Sequence, residues 1–240
     1  MFAAEHIEWS YPDGYQALRD IDLNIARTES VGLVGANGAG KSTLLRLFAG
    51  IIPVTAGRIS VDGMAYTPAN LLRLRQKIGY VFQNPDDQVF MPTVYDDVAF
   101  GIRNFGHDEA FVEKKVAAIL ARLGIAELRN QLTHKLSGGQ KRSVALAGVL
   151  VMNPDVIFLD EPTAFLDLKG RRSFINLMQA AENAKLLATH DLELVLELCP
   201  RVLVMDRGRI VADGPVAEVF SDKKFMESVS LEVPPRLQNN

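Results

Sequence analysis

The chain of 240 residues has one cysteine, Cys199, so it can close no intrachain disulfide, and a reducing, cytosolic setting is the expectation. It has no apolar run near the ~20 residues that span a bilayer. Its longest run, Val144 to Met152, is interrupted by Gly148 and follows Lys141-Arg142. The start, Met1-Phe2-Ala3-Ala4-Glu5, lacks the basic-then-apolar pattern of a secretory signal. Neither sign of charge is in excess: 26 Lys+Arg stand against 29 Asp+Glu, a net charge of −3. That balance leaves no global footprint for a nucleic-acid backbone, so no nucleic-acid partner is expected and any polyanion must be held locally. No His/Cys cluster has ligand spacing, which argues against a transition-metal site. Internal repeats and low-complexity tracts are also missing. If the chain works at a membrane, another protein brings it there.

What is present is an ordinary globular composition, 48% apolar, in a length that suits one large α/β domain or a core with a small appended subdomain. Ile7, Trp9 and Tyr11 alternate with His6, Glu8 and Ser10, and Ile21, Leu23 and Ile25, then Ile59 and Val61, repeat the pattern. Period two predicts half-buried antiparallel strands. By contrast, Val31–Val34, Val156–Leu159, Leu186–Ala188 and Val202–Met205 are short continuous runs, the pattern of parallel strands covered on both faces. Helical stripes lie between them, clearest at Val112, Val116, Ile119, Leu120 and Leu123. Residues from about 70 to 140 hold most of these stripes, and an inserted helical subdomain is expected at about 84–150 within a domain covering 1–225. The tail, 226–240, is expected to fray from Val229 onward.

Gly35-Ala36-Asn37-Gly38-Ala39-Gly40-Lys41-Ser42 matches the eight-position phosphate loop GxxxxGK[ST], between a buried strand and the helical run Thr43–Ala49. Glycines 35, 38 and 40 let backbone N–H groups and the helix N-terminus face a phosphate closely. Asn37, Ala39 and Thr43 belong to the same nucleotide-binding wrap. Lys41 suits the β- and γ-phosphates, and the Ser42 hydroxyl suits Mg²⁺. Val156-Ile157-Phe158-Leu159 then delivers Asp160 and Glu161 at a strand's C-terminal end, where open parallel sheets bind ligands. Asp160 can hold Mg²⁺ through water, and Glu161, pointing the other way, can polarise an attacking water.

Leu136-Ser137-Gly138-Gly139-Gln140 precedes a helical run from Lys141 to Met152. Ser137 and Gln140 have capping-box spacing, yet two successive glycines weaken a helix start, and a second phosphate cradle accounts for them better. With this pentapeptide about 100 residues after the phosphate loop and about 20 before Asp160, the chain resembles the ATP-binding cassette (ABC) ATPases over about residues 2–220. The resemblance implies a P-loop NTPase core of α/β class with a mixed, mostly parallel sheet, an antiparallel β subdomain and an inserted helical subdomain. It implies two cassettes sandwiching two MgATP head to tail, each phosphate loop facing the partner's Ser137-Gly138-Gly139. Gln83 matches the loop glutamine that senses Mg²⁺ and γ-phosphate, and His190 matches the switch histidine. Tyr11 falls where an aromatic stacks on adenine, or on the core face that it shares with Trp9. Asp167 matches the dimer-contact loop, but Phe165 stands where the family usually has a small residue.

Asn84-Pro85-Asp86-Asp87-Gln88-Val89-Phe90 and Thr93–Gly101 resemble the ATPases of energy-coupling-factor importers, which drive uptake of cobalt, nickel or vitamins. There Asp86 and Asp87 would pair with arginines of a partner's coupling helix over an apolar floor of Val89 and Phe90. Ser10-Tyr11-Pro12-Asp13-Gly14 is similar to the cobalt/nickel subgroup. The implied assembly is a homodimer, or a dimer with a paralogous ATPase, peripheral on the cytoplasmic face of the membrane. An integral-membrane scaffold would dock on the Gln83–Phe100 groove, beside a separate substrate-binding membrane subunit. Soluble repair cassettes insert long coiled coils and translation factors carry two cassettes; this chain has neither.

Overall fold

The computed structural model describes residues 1–238. In chain order its elements are β1 (Phe2–Ser10), β2 (Gln16–Ile25), β3 (Ser30–Val34), α1 (Lys41–Phe48), β4 (Ala56–Val61), β5 (Met64–Ala65), α2 (Leu71–Lys77) and β6 (Ile78–Val81). There follow α3 (Val94–Asn104), α4 (Glu109–Arg122), α5 (Gly138–Leu150), β7 (Val156–Asp160), α6 (Leu168–Gln179) and β8 (Ala184–Ala188). The last part is α7 (Leu192–Leu198), β9 (Arg201–Asp206), β10 (Arg209–Pro215), α8 (Val216–Ser221), α9 (Lys223–Ser228) and α10 (Pro235–Gln238).

The alternating segments form an antiparallel sheet of order β2-β1-β4-β5. The continuous apolar runs form the second sheet, β10-β9-β3-β8-β7-β6, parallel except for β10 at its edge. Its central strands are buried residue after residue because both faces are covered. On β7, Val156 and Phe158 enter a core shared with the first sheet and α1, where Phe158 meets Phe2 edge-on at 5.2 Å. Ile157 and Leu159 point the other way, onto Phe174, Ile175, Leu194 and Phe220 of α6 to α8. A third apolar cluster draws only on residues between Val89 and Val151, with α3, α4 and α5 packed on one another.

Three expectations change. Strand β6 lies in a stretch that reads as helical, because Gly79 interrupts its apolar run; a Cβ there would come within 2.4 Å of Val149 Cγ1, so α5 can approach the strand only over a glycine. Tyr11 is not on the core face of β1: the strand ends at Ser10 and the ring is exposed. The tail does not fray over the described residues, since Val229 is buried and Leu231, Val233 and Leu237 pack against the α6–α8 cluster. Arg236 also pairs with Glu193 of α7 at 3.3 Å. Asn239 and Asn240 lie outside the described residues. Cys199 is buried behind α7, and burial pushes its thiol up to about 12. Among the described residues no helix is long and apolar enough to cross a membrane.

Candidate active site

The C-terminal ends of β3, β7 and β8 bring the sequence-predicted groups to one edge of the parallel sheet. The loop after β3 turns on glycines that no other residue could replace without rearrangement. Gly35 has φ 153, and a Cβ on it would fall 2.1 Å from the Met205 carbonyl oxygen of β9. Gly40, at φ 107, is the N-cap of α1 and offers no side chain to cap it, so the first-turn N–H groups are left to face an anion. Asn37 and Gly38 are exposed at the turn, while Ala39 and Thr43 are buried beneath it. Lys41 closes the loop by donating Nζ hydrogen bonds to the Gly35 carbonyl at 2.6 Å and the Ala36 carbonyl at 3.1 Å. Burial lowers the Lys41 pKa, and the nearby Glu161 and Asp160 carboxylates partly oppose that shift.

Ser42 Oγ donates to Asp160 Oδ1 at 3.1 Å, and Tyr80 OH donates to Oδ2 at 3.2 Å. Burial raises the Asp160 pKa, with the Ser42 and Tyr80 hydrogen bonds acting against it. Two hard oxygen donors in contact beside an anion-ready helix start fit a magnesium ion, which binds through a few protein oxygens and completes its shell with water and phosphate.

Glu161 is held differently. Its backbone is left-handed, φ 46, and its N–H reaches the Ala188 carbonyl of β8 at 2.9 Å. That turn swings its carboxylate away from Asp160, to accept from Thr189 Oγ1 at 2.8 Å and from the His190 N–H at 3.0 Å. His190 Nδ1 lies 2.9 Å from Glu161 Oε1, although most of the imidazole is exposed. Arg171 of α6 holds Asp191 at 3.0 Å, which fixes the segment just after His190. A carboxylate oriented by two donors at a strand end, with the His190 ring beside it, can accept a proton from water.

Tyr11 projects over α1, its OH within 2.9 Å of Thr43 Oγ1 and its ring edge-on to Trp9 at 4.5 Å. Its exposed face is free to stack on a base, with Tyr15 beside it at 6.3 Å. Gln83 is exposed in the loop after β6. Gln88 closes that loop on itself by accepting from the Phe82 N–H, and ties it to α5 by donating to the Ala145 carbonyl, each at 3.0 Å.

Ser137 caps α5 in a complete capping box, accepting from the Gln140 N–H at 3.3 Å while the Gln140 side chain accepts from the Ser137 N–H at 2.9 Å. Gly138 and Gly139 form the first helical turn of α5, whose buried face packs into the helical cluster. A cavity of about 920 Å³ lies between it and the Phe165–Gly170 start of α6. Phe165 takes the left-handed conformation at φ 70, which costs a residue with a Cβ about 1–2 kcal/mol. In the proposed docking groove, Asp86 is already paired with Lys141 at 2.5 Å, while Asp87 has no basic partner among the described residues. Val89 is buried in the helical core, and the apolar floor is instead Phe90 against Phe100 at 5.0 Å. Asp97 accepts from the Phe90 and Met91 N–H groups, both at 2.9 Å, and so fixes the loop that carries Phe90.

Arg142 carries no role in the sequence reading. It is 2% exposed, donates from Nη1 to the Phe82 carbonyl at 2.5 Å and from Nη2 to the Gln83 carbonyl, and so joins α5 to the glutamine loop. The signal was present in the spacing: residues 142, 145, 146 and 149 form one stripe on the buried face of α5.

Comparison with known proteins gives a consistent picture. Residues 18–164 match the family model described as ABC transporter. A putative ABC transporter ATP-binding protein of Geobacter sulfurreducens is 46% identical, over 95% of this chain and 92% of that one. The energy-coupling factor transporter ATP-binding protein EcfA of Methanothermobacter thermautotrophicus is 41% identical, over 98% of this chain and 77% of its own length. Among solved structures, cbiO1 of Clostridium perfringens, part of the ABC transporter complex cbiONQ, superposes with a TM-score of 0.81 at 40% identity, covering 99% of this chain and 97% of that one. A dimeric ATP-binding cassette in a post-hydrolysis state, bound to ADP and Pi, gives a TM-score of 0.81 at 25% identity over 90% of this chain and 99% of that one.

Proposed function

From the premise that the chain belongs to the ABC transporter family of ATPases, we propose that it is the motor subunit of an energy-coupling-factor importer for cobalt or nickel ions. The observation that carries the hydrolytic part is the linked set Lys41, Ser42, Asp160, Glu161 and His190 at one sheet edge. Backbone N–H groups of Gly35–Thr43 and the Lys41 ammonium hold the ATP phosphates, and Tyr11 covers the adenine. Ser42 and Asp160 would hold Mg²⁺, with Gln83 as a further oxygen donor; the ion supplies charge neutralisation to the phosphates when bound. Glu161, oriented by Thr189 and His190, takes the proton of the attacking water. His190 faces the terminal phosphate from the exposed side of that carboxylate.

The trans half of the site is the partner protomer's Ser137-Gly138-Gly139-Gln140 segment. Its place at the start of a helix of the helical cluster supports that reading, as does the dimeric form of the related cassette. Donors that close on the transferring phosphoryl group contribute roughly 10³–10⁵ in rate where an arginine finger does the same work. Isolated protein therefore hydrolyses ATP slowly and faster as it self-associates. The groove bearing Phe90, Phe100 and Asp87 seats the membrane scaffold, and a separate membrane subunit selects the substrate; the name of cbiO1 and the similarity of Ser10–Gly14 to cobalt/nickel cassettes favour those ions. The test is uptake in cells expressing this chain with the membrane proteins encoded beside it. Cobalt or nickel accumulation that disappears with Glu161→Gln is expected. Biotin accumulation without metal would change the substrate, and failure of any membrane protein to co-purify in detergent would remove the transport reading.

A further inference from the structure

Phe165 occupies the loop between β7 and α6 where the sequence departs from the small residue of related cassettes. It is 61% exposed, yet its ring is engaged. The Arg142 guanidinium lies over one face, with Cζ 5.9 Å from the ring centroid. The same ring borders the start of α5, where a Cβ on Gly138 would sit 3.5 Å from Phe165 Cδ1 and one on Gly139 would sit 3.2 Å from the Phe165 carbonyl oxygen. At 139 a Cβ would crowd this loop, whereas at 138 it would make ordinary contact with the ring, so the loop and the helix start are packed against each other within one protomer.

Arg142 is among the largest fully buried side chains of the protein, and its Nη1 and Nη2 are spent on the Phe82 and Gln83 carbonyls. Its Nε finds no hydrogen-bond partner among the described residues. Asp160 and Glu161 attract the guanidinium from the strand end. A planar cation with two forked donors holds its partners in register while its plane is fixed, and an aromatic face packed on it is one means of setting that plane. Three segments therefore converge on one guanidinium: the Gln83 loop, the Ser137–Gln140 helix start and the loop that follows Glu161.

We infer that Phe165 is a positioning residue for ATP hydrolysis: by covering Arg142 it sets, within one protomer, the register of the Gln83 loop and the Ser137–Gln140 segment against the Glu161 strand end. The inference rests on the ATPase reading of the Lys41–Glu161 site. Turnover by the wild-type chain tests that reading alone, and the variants test the inference.

The experiment is steady-state ATP hydrolysis by the full chain at concentrations that favour self-association, for wild type, Phe165→Gly, Phe165→Tyr, Arg142→Lys and the double variant Phe165→Gly/Arg142→Lys. Glycine adopts φ 70 without strain, so Phe165→Gly folds at least as well as wild type, checked by its melting curve. Its kcat falls about fivefold while KM for ATP changes less than about twofold, since the ring touches Arg142 and not the phosphate loop. Phe165→Tyr keeps the ring and restores kcat. In the Arg142→Lys background, where the planar face is already gone, Phe165→Gly lowers kcat by less than about twofold. Unchanged kcat in Phe165→Gly overturns the inference, as does a rise in KM alone or failure of tyrosine to restore the rate. An equal fold-loss in both backgrounds also overturns it, because the ring would then act on something other than Arg142. If Arg142→Lys does not fold, Arg142→Gln, which keeps an amide donor for one carbonyl, completes the same cycle.

Discussion

The phosphate loop and the Ser137–Gln140 segment are both glycine-rich helix starts, but they are secured in opposite ways. The first is pinned by its neighbours, with Gly35 pressed under the Met205 carbonyl and Lys41 folded on the loop's own carbonyls, while the helix start has no side-chain cap. The second is capped completely by its own Ser137 and Gln140. A helix start with uncapped N–H groups and a cation beside it is completed by an anion, so changes there act on nucleotide affinity. A self-capped start is stable alone, so changes there act on fold stability and, on the proposed trans arrangement, on the rate rather than on nucleotide affinity.

The widest separation of the two regions comes from Lys41→Ala, expected to weaken ATP binding by at least about 100-fold in calorimetry because a charge-assisted contact to phosphate is lost. Retained micromolar affinity would contradict the cradle. Next, Glu161→Gln should lower turnover by about 10²–10⁴ while keeping ATP binding, and should accumulate as an ATP-dependent dimer on size exclusion. Normal turnover in that variant would remove the general base. On the other side of the comparison, Ser137→Ala costs about 1 kcal/mol through loss of the cap, read as a melting temperature lower by about 2–4 °C. ATP affinity at concentrations where the chain is monomeric should not change. Smallest is Lys141→Ala, which breaks a partly exposed pair with Asp86 and should shift the melting temperature by no more than about 2 °C.

The two regions also differ in how far the sequence discloses them. Gly35–Ser42 and Val156–Glu161 are contiguous, so their spacing carries the geometry: a buried strand, a turn that needs glycine, a helix start, and a strand that ends in two acids. The opposite orientation of Asp160 and Glu161 is legible from their adjacency, and the left-handed backbone at Glu161 completes it. The links to Ser137–Gln140 are not local. Arg142 enters the sequence only as one of two charges ahead of an apolar run, and the helical stripe that it shares with Ala145, Leu146 and Val149 is what marks it as buried. Phe165 is visible as an oddity, but that its ring lies on Arg142 depends on a contact across more than twenty residues of chain. Strand β6 and the tail escape for a related reason: Gly79 and the prolines at 234 and 235 break local patterns that tertiary packing restores.

Cys199 has a practical consequence. A buried thiol pushed up to about 12 stays protonated near neutrality and is a poor nucleophile toward maleimide reagents. A Leu168→Cys variant, at a position 89% exposed on the start of α6, would therefore carry the single reactive handle among the described residues. Donor and acceptor dyes on two such protomers would time their approach and parting during turnover without first deleting a native side chain.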